Sequence, residues 1–78
     1  MPRIEKLIQR MVVNPRDVRF SEARRVLEFH GWVVDNIVGS HYTFLKGRMR
    51  LVLVRPHGGR KSLHPKDVKK VLEAIEST

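Results

Sequence analysis

The sequence contains no cysteine and no long apolar run. The lack of cysteine excludes a disulfide framework and any thiolate metal site. No apolar run is longer than five residues, whereas a membrane helix needs about 20 predominantly apolar residues in succession. We therefore expect a protein of the reducing cytoplasm that does not span a membrane.

Acidic residues are scarce in one half of the chain. Residues 46–70 contain nine lysines and arginines against a single acid, Asp67, whereas residues 1–45 contain seven bases against five acids. The net charge of +8 is therefore concentrated in the second half, which predicts an anionic partner. A phosphate backbone is the commonest such partner, and a solvated basic surface without a partner is the alternative.

Repeats, low-complexity segments and linkers that could divide the chain are also absent. The 78 residues predict a single domain over residues 1–78, near the lower size limit at which one hydrophobic core is stable.

Three segments have apolar residues at helical spacing and predict α-helices at residues 2–13, 21–30 and 65–76. Asn14-Pro15 ends the first helix, because proline cannot continue it. Ser21 is the predicted cap of the second helix, and Gly31 is its left-handed stop. The apolar positions are Ile4, Leu7, Ile8 and Met11, then Ala23, Val26 and Leu27, and finally Val68, Val71, Leu72 and Ile75.

Between the second and last helices, three β-rich segments predict strands at residues 32–38, 41–46 and 49–55. Their short connections predict an antiparallel meander, and the helices are expected to cover one face of this sheet because three strands cannot fold alone. The third strand is almost continuously apolar, which predicts a central position. The predicted class is α+β, in the order helix, helix, strand, strand, strand, helix.

The stretch GSHYTF places a histidine beside two aromatic residues. Tyr42 and Phe44 are two positions apart, so on a strand they share one face, and His41 and Thr43 take the other. If the aromatic side chains enter the core, the imidazole of His41 is exposed on the face that the helices leave open. Trp32 and Phe44 are expected in the core and not as base-stacking platforms, because other aromatic residues are too few.

Most catalytic motifs are missing. There is no P-loop and no dinucleotide fingerprint, and Gly58-Gly59 alone indicates little. The histidines at positions 30, 41, 57 and 64 lack zinc spacing, and the few acids are scattered, which argues against a two-metal nuclease. Histidine among cations is nevertheless sufficient for RNA cleavage, since the 2′-OH is the nucleophile, imidazole transfers protons near neutral pH and cations stabilise the phosphorane.

Residues 20–75 resemble the HicA toxin family, RNA-cleaving proteins of bacterial toxin–antitoxin pairs. The resemblance lies in the helix ending in FHGW, the GSHYTF strand, the LVLVRPH strand and the LHPKDVKKVL helix. It implies a double-stranded-RNA-binding-domain-like α-β-β-β-α core at residues 20–76, with residues 2–13 as an extra N-terminal helix. It also implies an mRNA substrate and a HicB-type antitoxin partner. We further expect no cofactor or metal, and a monomer when the protein is free.

The resemblance assigns the catalytic role to His41, the histidine of its Gly-Ser-His element. Family members often have a second histidine or polar residue next, where this chain has Tyr42. His57, after the third strand, is a candidate catalytic assistant, whereas His30 and His64 are expected to be helix-end residues. The candidate RNA-binding residues are Ser40, Lys46, Arg48, Arg50, Arg55, Arg60 and Lys61.

Two other functions are compatible with the sequence. A non-catalytic binder of structured RNA would use the same fold and basic face, and it would tolerate loss of His41. A DNA-binding protein is the third hypothesis, but the exposed positions of the last helix, Lys66, Lys69 and Lys70, suggest phosphate contacts and not a base code.

Overall fold

The computed structural model describes residues 2–57 and 61–77. Every predicted helix and strand is present, and each boundary lies within one residue of its predicted position. Gly58, Gly59 and Arg60, the last a predicted RNA-binding residue, lie outside the described residues. The elements are α1 (Pro2–Val13), α2 (Phe20–Phe29), β1 (Val33–Val38), β2 (His41–Lys46), β3 (Met49–Val54) and α3 (Pro65–Ser77).

The three strands form an antiparallel sheet in the order β1-β2-β3, which confirms the predicted α+β class and meander. The predicted central position of β3 is wrong, because β2 lies between the other two strands. The apolar character of β3 has a different cause: Leu51 and Leu53 enter the core, while α3 lies along the strand's outer edge. From α3, Asp67 accepts a hydrogen bond from the Val54 amide at 3.0 Å.

The core lies between the sheet and the helices. Tyr42 and Phe44 of β2 are 7% and 0% exposed, so the predicted strand parity is confirmed. Trp32 is also buried, as predicted. The residues buried with them include Met11 from α1, Phe20, Ala23, Val26 and Leu27 from α2, Leu51 and Leu53 from β3, and Val68 and Val71 from α3.

Helix α2 begins one residue earlier than predicted, so the assignment of Ser21 as its cap is wrong. Arg19 is the N-cap residue, and the carboxylate of Glu22 accepts a hydrogen bond from its backbone N–H at 3.0 Å. Phe20 is thereby the first helical residue, and its buried ring packs on Tyr42 with 4.7 Å between ring centroids. Gly31, with φ +92°, follows the helix end as predicted.

Candidate functional site

His41 is the first residue of β2, and its imidazole is exposed. Because Tyr42 next to it points into the core, strand alternation directs His41 to the opposite face of the sheet. Among the residues that the structure describes, none makes a hydrogen bond to this imidazole. Both ring nitrogens are therefore available to a substrate, as a general base or acid requires.

The cross-strand neighbours of His41 are aliphatic. Val38 of β1 and Val54 of β3 lie directly opposite it, and both are exposed. The next row on the same face is Asn36, Thr43 and Val52. Half of the six side chains in these two rows of the open face are thus aliphatic, and His41 is the titratable group at the end where β2 begins and β3 ends.

Arg55 is held tightly at this end of the sheet. Its backbone N–H donates to the carbonyl of Ser40 at 2.7 Å, directly before His41. Its guanidinium donates to the hydroxyl of Tyr42 at 3.1 Å and lies 5.9 Å from the centre of the Phe20 ring. Tyr42 therefore positions the Arg55 guanidinium at the His41 end of the sheet, on the face that the helices cover, whereas His41 is on the open face.

The predicted RNA-binding residues divide between the two ends of the sheet. Ser40, Arg55 and Lys61 are at the His41 end, and so is the exposed His57, three residues after Val54. Arg48 and Arg50 lie at or beside the β2–β3 turn, which is the opposite end of the sheet. The intervening strand from residue 41 to residue 46 spans about 17 Å at about 3.3 Å per residue. Arg60 lies outside the described residues.

Lys46 has a contact that the sequence did not indicate. Its ammonium group donates a hydrogen bond to the carbonyl of His30, at the C-terminal end of α2. A cation at this position is favourable because the carbonyl end of a helix carries partial negative charge. Lys46 thus stabilises the end of α2 in this structure.

His30 and His64 lie at helix ends, as expected. The Nδ1 of His30 is 2.8 Å from the carbonyl oxygen of Val26, to which the ring donates. The Nδ1 of His64 accepts a hydrogen bond at 3.1 Å from the backbone N–H of Lys66, in the first turn of α3. The His64 contact satisfies a first-turn N–H that a helix start leaves without a partner, whereas the Val26 carbonyl also accepts from the His30 backbone N–H at 3.2 Å.

The described part of the chain contains no group of three histidine or acidic side chains placed to hold a metal ion. Within the same residues, no helix is both long enough and apolar enough to cross a membrane.

Sequence reasoning missed two features of the His41 end. One is Arg19, which the strand-like pairing of residues 19 and 62 brings close to Lys61. The other is a cavity of about 360 Å³ lined by Val54, Pro56, His64, Lys66, Asp67 and Lys70. Neither had a local sequence signal, because both depend on contacts between segments that are distant in the chain.

The fold and the site together define a small α+β protein of the double-stranded-RNA-binding-domain type, with an exposed histidine at a basic end of an open sheet face. Comparison with protein families agrees: the family described as "HicA toxin of bacterial toxin-antitoxin" matches residues 20–76. The chain therefore belongs to the HicA toxin family. Comparison with curated proteins and with solved structures gave no significant match.

Proposed function

We propose that this protein is an endoribonuclease that cleaves mRNA without a metal ion, and that His41 is its catalytic residue. The observation that carries the proposal is the placement of His41, exposed on the open face and next to the Ser40–Arg55 contact. Family membership supports the toxin role. Such an enzyme would act in the cytoplasm, where mRNA is found, as a monomer when it is free of antitoxin.

The reaction needs only one proton acceptor, one proton donor and stabilising cations. The imidazole of His41 removes the proton of a ribose 2′-OH, and the 2′-oxygen attacks the adjacent phosphorus. The bond from phosphorus to the 5′-oxygen breaks, and that oxygen takes a proton from a histidine or from water. The products are a 2′,3′-cyclic phosphate and a 5′-hydroxyl end, and basic side chains at the His41 end of the sheet stabilise the charge on the phosphorane oxygens.

The antitoxin is proposed to be a HicB-type protein that covers the open sheet face. The aliphatic side chains beside His41 suit such a contact, because burying them against a partner removes apolar surface from water. Covering His41 in this way would block access of RNA to the imidazole.

The test is the variant His41→Ala, with purified RNA as the substrate. Loss of a general base typically lowers the rate by a factor of about 10² to 10⁴, and an exposed side chain contributes little to packing, so the fold should persist. Thermal unfolding and RNA binding by the variant are the controls. Normal cleavage by folded His41→Ala would show that His41 is not the catalytic residue.

A second arm tests the nucleophile. A substrate with a single deoxyribose at the scissile position should resist cleavage, and a chelator should have no effect on the reaction. Full activity on the deoxy substrate would show that water or a metal-bound hydroxide attacks, and the 2′-OH mechanism would be wrong.

A further inference from the structure

A second cavity, of about 270 Å³, lies beside the first turn of α2. Three of the six residues that line it are cations, and none is an acid. They come from three segments: the N-terminal end of α2, the end of β3 and the segment before α3. The lining residues are Arg19, Phe20, Ser21, Arg55, Pro56 and Lys61.

The cavity is built by backbone contacts between these segments. Arg19 and Ser62 form an antiparallel bridge, and the Leu63 N–H donates to the Val18 carbonyl at 2.6 Å. This pairing fixes Lys61 beside the start of α2. Arg55 is oriented by its contacts with Tyr42 and Phe20.

The chemistry of the cavity suits a phosphate group. Arginine and lysine side chains converge there, Ser21 adds a hydroxyl, and the N-terminal end of α2 adds the positive end of a helix dipole. The nearest carboxylate on α2, Glu22, is already bonded to the Arg10 guanidinium and to the Arg19 backbone N–H. The net charge of the lining residues therefore remains positive.

We propose that this cavity is a phosphate subsite that holds an internal phosphodiester of the same RNA chain that is cleaved at His41. The inference rests on the proposed function for its substrate. The backbone N–H of Arg55 donates to the Ser40 carbonyl at 2.7 Å, so the chain at Arg55 runs beside the residue before His41. The Arg55 side chain is on the face that the helices cover, so RNA must pass around the end of the sheet to reach it from His41. RNA that crosses the open face at His41 and continues past Pro56 reaches Arg55 and then Arg19 and Lys61.

The first experiment measures binding of a 2′-O-methyl oligonucleotide, which keeps every phosphate and has no nucleophile. Arg19→Ala combined with Lys61→Ala should weaken binding at least about tenfold at low salt, because charge-assisted hydrogen bonds to phosphate are removed. The salt slope should become shallower by about 0.7 for each phosphate that the variant no longer neutralises. The matched control is Lys6→Ala with Arg25→Ala, which removes the same charge from exposed positions on α1 and α2 that do not line the cavity.

The control should change affinity less than about twofold, since distant surface charges are screened by salt. An equal loss in the two double variants would overturn the subsite and leave only a general charge effect. A charge-preserving variant, Arg19→Lys with Lys61→Arg, should keep most of the affinity. If it binds as weakly as the alanine variant, loss of fold and not loss of charge explains the result, and the proposal fails.

The second experiment moves one neutral methylphosphonate linkage along the oligonucleotide. At one position the substitution should weaken binding to the unaltered protein but not to the Arg19→Ala, Lys61→Ala variant, because the two changes remove the same interaction. Additive losses at every position would overturn the proposal. A requirement for a 5′-phosphate end would also overturn it, because the cavity would then bind an RNA terminus.

These measurements use RNA that cannot be cleaved, so they are independent of whether His41 is catalytic. Failure of the subsite would leave cleavage by His41 intact, and failure of the His41 mechanism would leave the binding results intact.

Discussion

At the scale of single residues, the orientation of His41 follows from a local rule. Side chains alternate along a strand whatever surrounds it, so burial of Tyr42 and Phe44 was enough to predict an exposed imidazole. Its neighbours Val38 and Val54 could not be predicted in the same way. They depend on strand register, and the extra residue Asp35 shifts the pairing of β1 between residues 34 and 36.

The hydroxyl of Tyr42 accepts the hydrogen bond that orients Arg55. Removing this one oxygen tests whether the orientation of Arg55 matters for RNA binding. Tyr42→Phe keeps the ring that packs on Phe20 and removes only this acceptor. We expect the free energy of unfolding to fall by no more than about 1 kcal/mol, since the bond is a single partly buried one. RNA affinity should fall severalfold, because the guanidinium loses its fixed position. Isothermal denaturation and oligonucleotide binding measure the two effects.

The control for this prediction is the double variant Tyr42→Phe with Arg55→Ala. If Tyr42 acts through Arg55, the double variant should bind RNA no more weakly than Arg55→Ala alone. Additive losses would mean that Tyr42 contacts RNA directly.

At the scale of elements, the start of α2 shows where sequence reasoning failed. Ser21 is a good capping residue by type, yet the helix starts before it, at Phe20. Two contacts account for this: Phe20 is buried, and the preceding Arg19 pairs with Ser62. The partner segment is remote in sequence, so local capping preferences contain no information about it.

Glu22, at the start of α2, should make the free energy of unfolding depend on pH in the acidic range. Burial acts to raise the pKa of its carboxyl. Hydrogen bonds from the Arg19 backbone N–H and the Arg10 side chain, together with the charges of Arg10 and Arg19, outweigh this effect. The pKa of Glu22 therefore lies below its ordinary value of 4.5. The unfolded chain therefore takes up this proton more readily than the folded protein. The contribution of Glu22 is complete above about pH 4.5 and is lost as pH falls through the lower folded pKa.

We therefore expect Glu22→Gln to lower the free energy of unfolding at neutral pH by about 0.5–1 kcal/mol and to flatten its decline under acid. Chemical denaturation at several pH values between neutral and strongly acidic measures both. Glu28→Gln, which breaks an exposed pair with Arg24, is the matched control and should cost about 0.3–0.5 kcal/mol. If the free energy of unfolding of Glu22→Gln declined under acid as it does in the unaltered protein, Glu22 would not be the group responsible for that decline.

Gly31, after the end of α2, is constrained in two ways. Its φ is +92°, and a Cβ there would lie 3.3 Å from the Cε of Lys46, whose ammonium is bonded to His30. Gly31→Ala should therefore destabilise the protein by about 1–2 kcal/mol or more. Gly39→Ala is the comparison, with φ +59° and open space around its Cβ, and should cost less. Urea unfolding measures the loss of unfolding free energy in both variants. Equal losses would show that the contact with Lys46 adds nothing to the cost of alanine at position 31.

At the scale of the whole molecule, the apolar sequence of β3 predicts a central strand, and the position of α3 explains why this prediction is wrong. Asp67 accepts from the Val54 amide, and the Lys70 ammonium lies 3.4 Å from the Val52 carbonyl. These side chains cover outward-facing backbone groups that an edge strand normally exposes. An edge covered by a helix tolerates the apolar sequence of a central strand, and hydrophobic pattern alone cannot distinguish the two.

The split of the basic residues between the two ends of the sheet gives a prediction about RNA length. A substrate of about four nucleotides bound at His41 is too short to engage both ends fully, whereas one of about 12 can do so. Arg48→Ala with Arg50→Ala should therefore leave kcat/KM for the short substrate nearly unchanged. For the long substrate, the same variant should lower kcat/KM and make its salt dependence shallower, by about 0.7 for each phosphate that is no longer neutralised.

Arg55→Ala with Lys61→Ala is the counterpart at the His41 end and should weaken cleavage of both substrates. Turnover is the right measurement, because it reports only RNA that is engaged at His41. An equal loss on the short substrate for the Arg48, Arg50 pair would mean that these arginines act at the scissile linkage or on the whole fold.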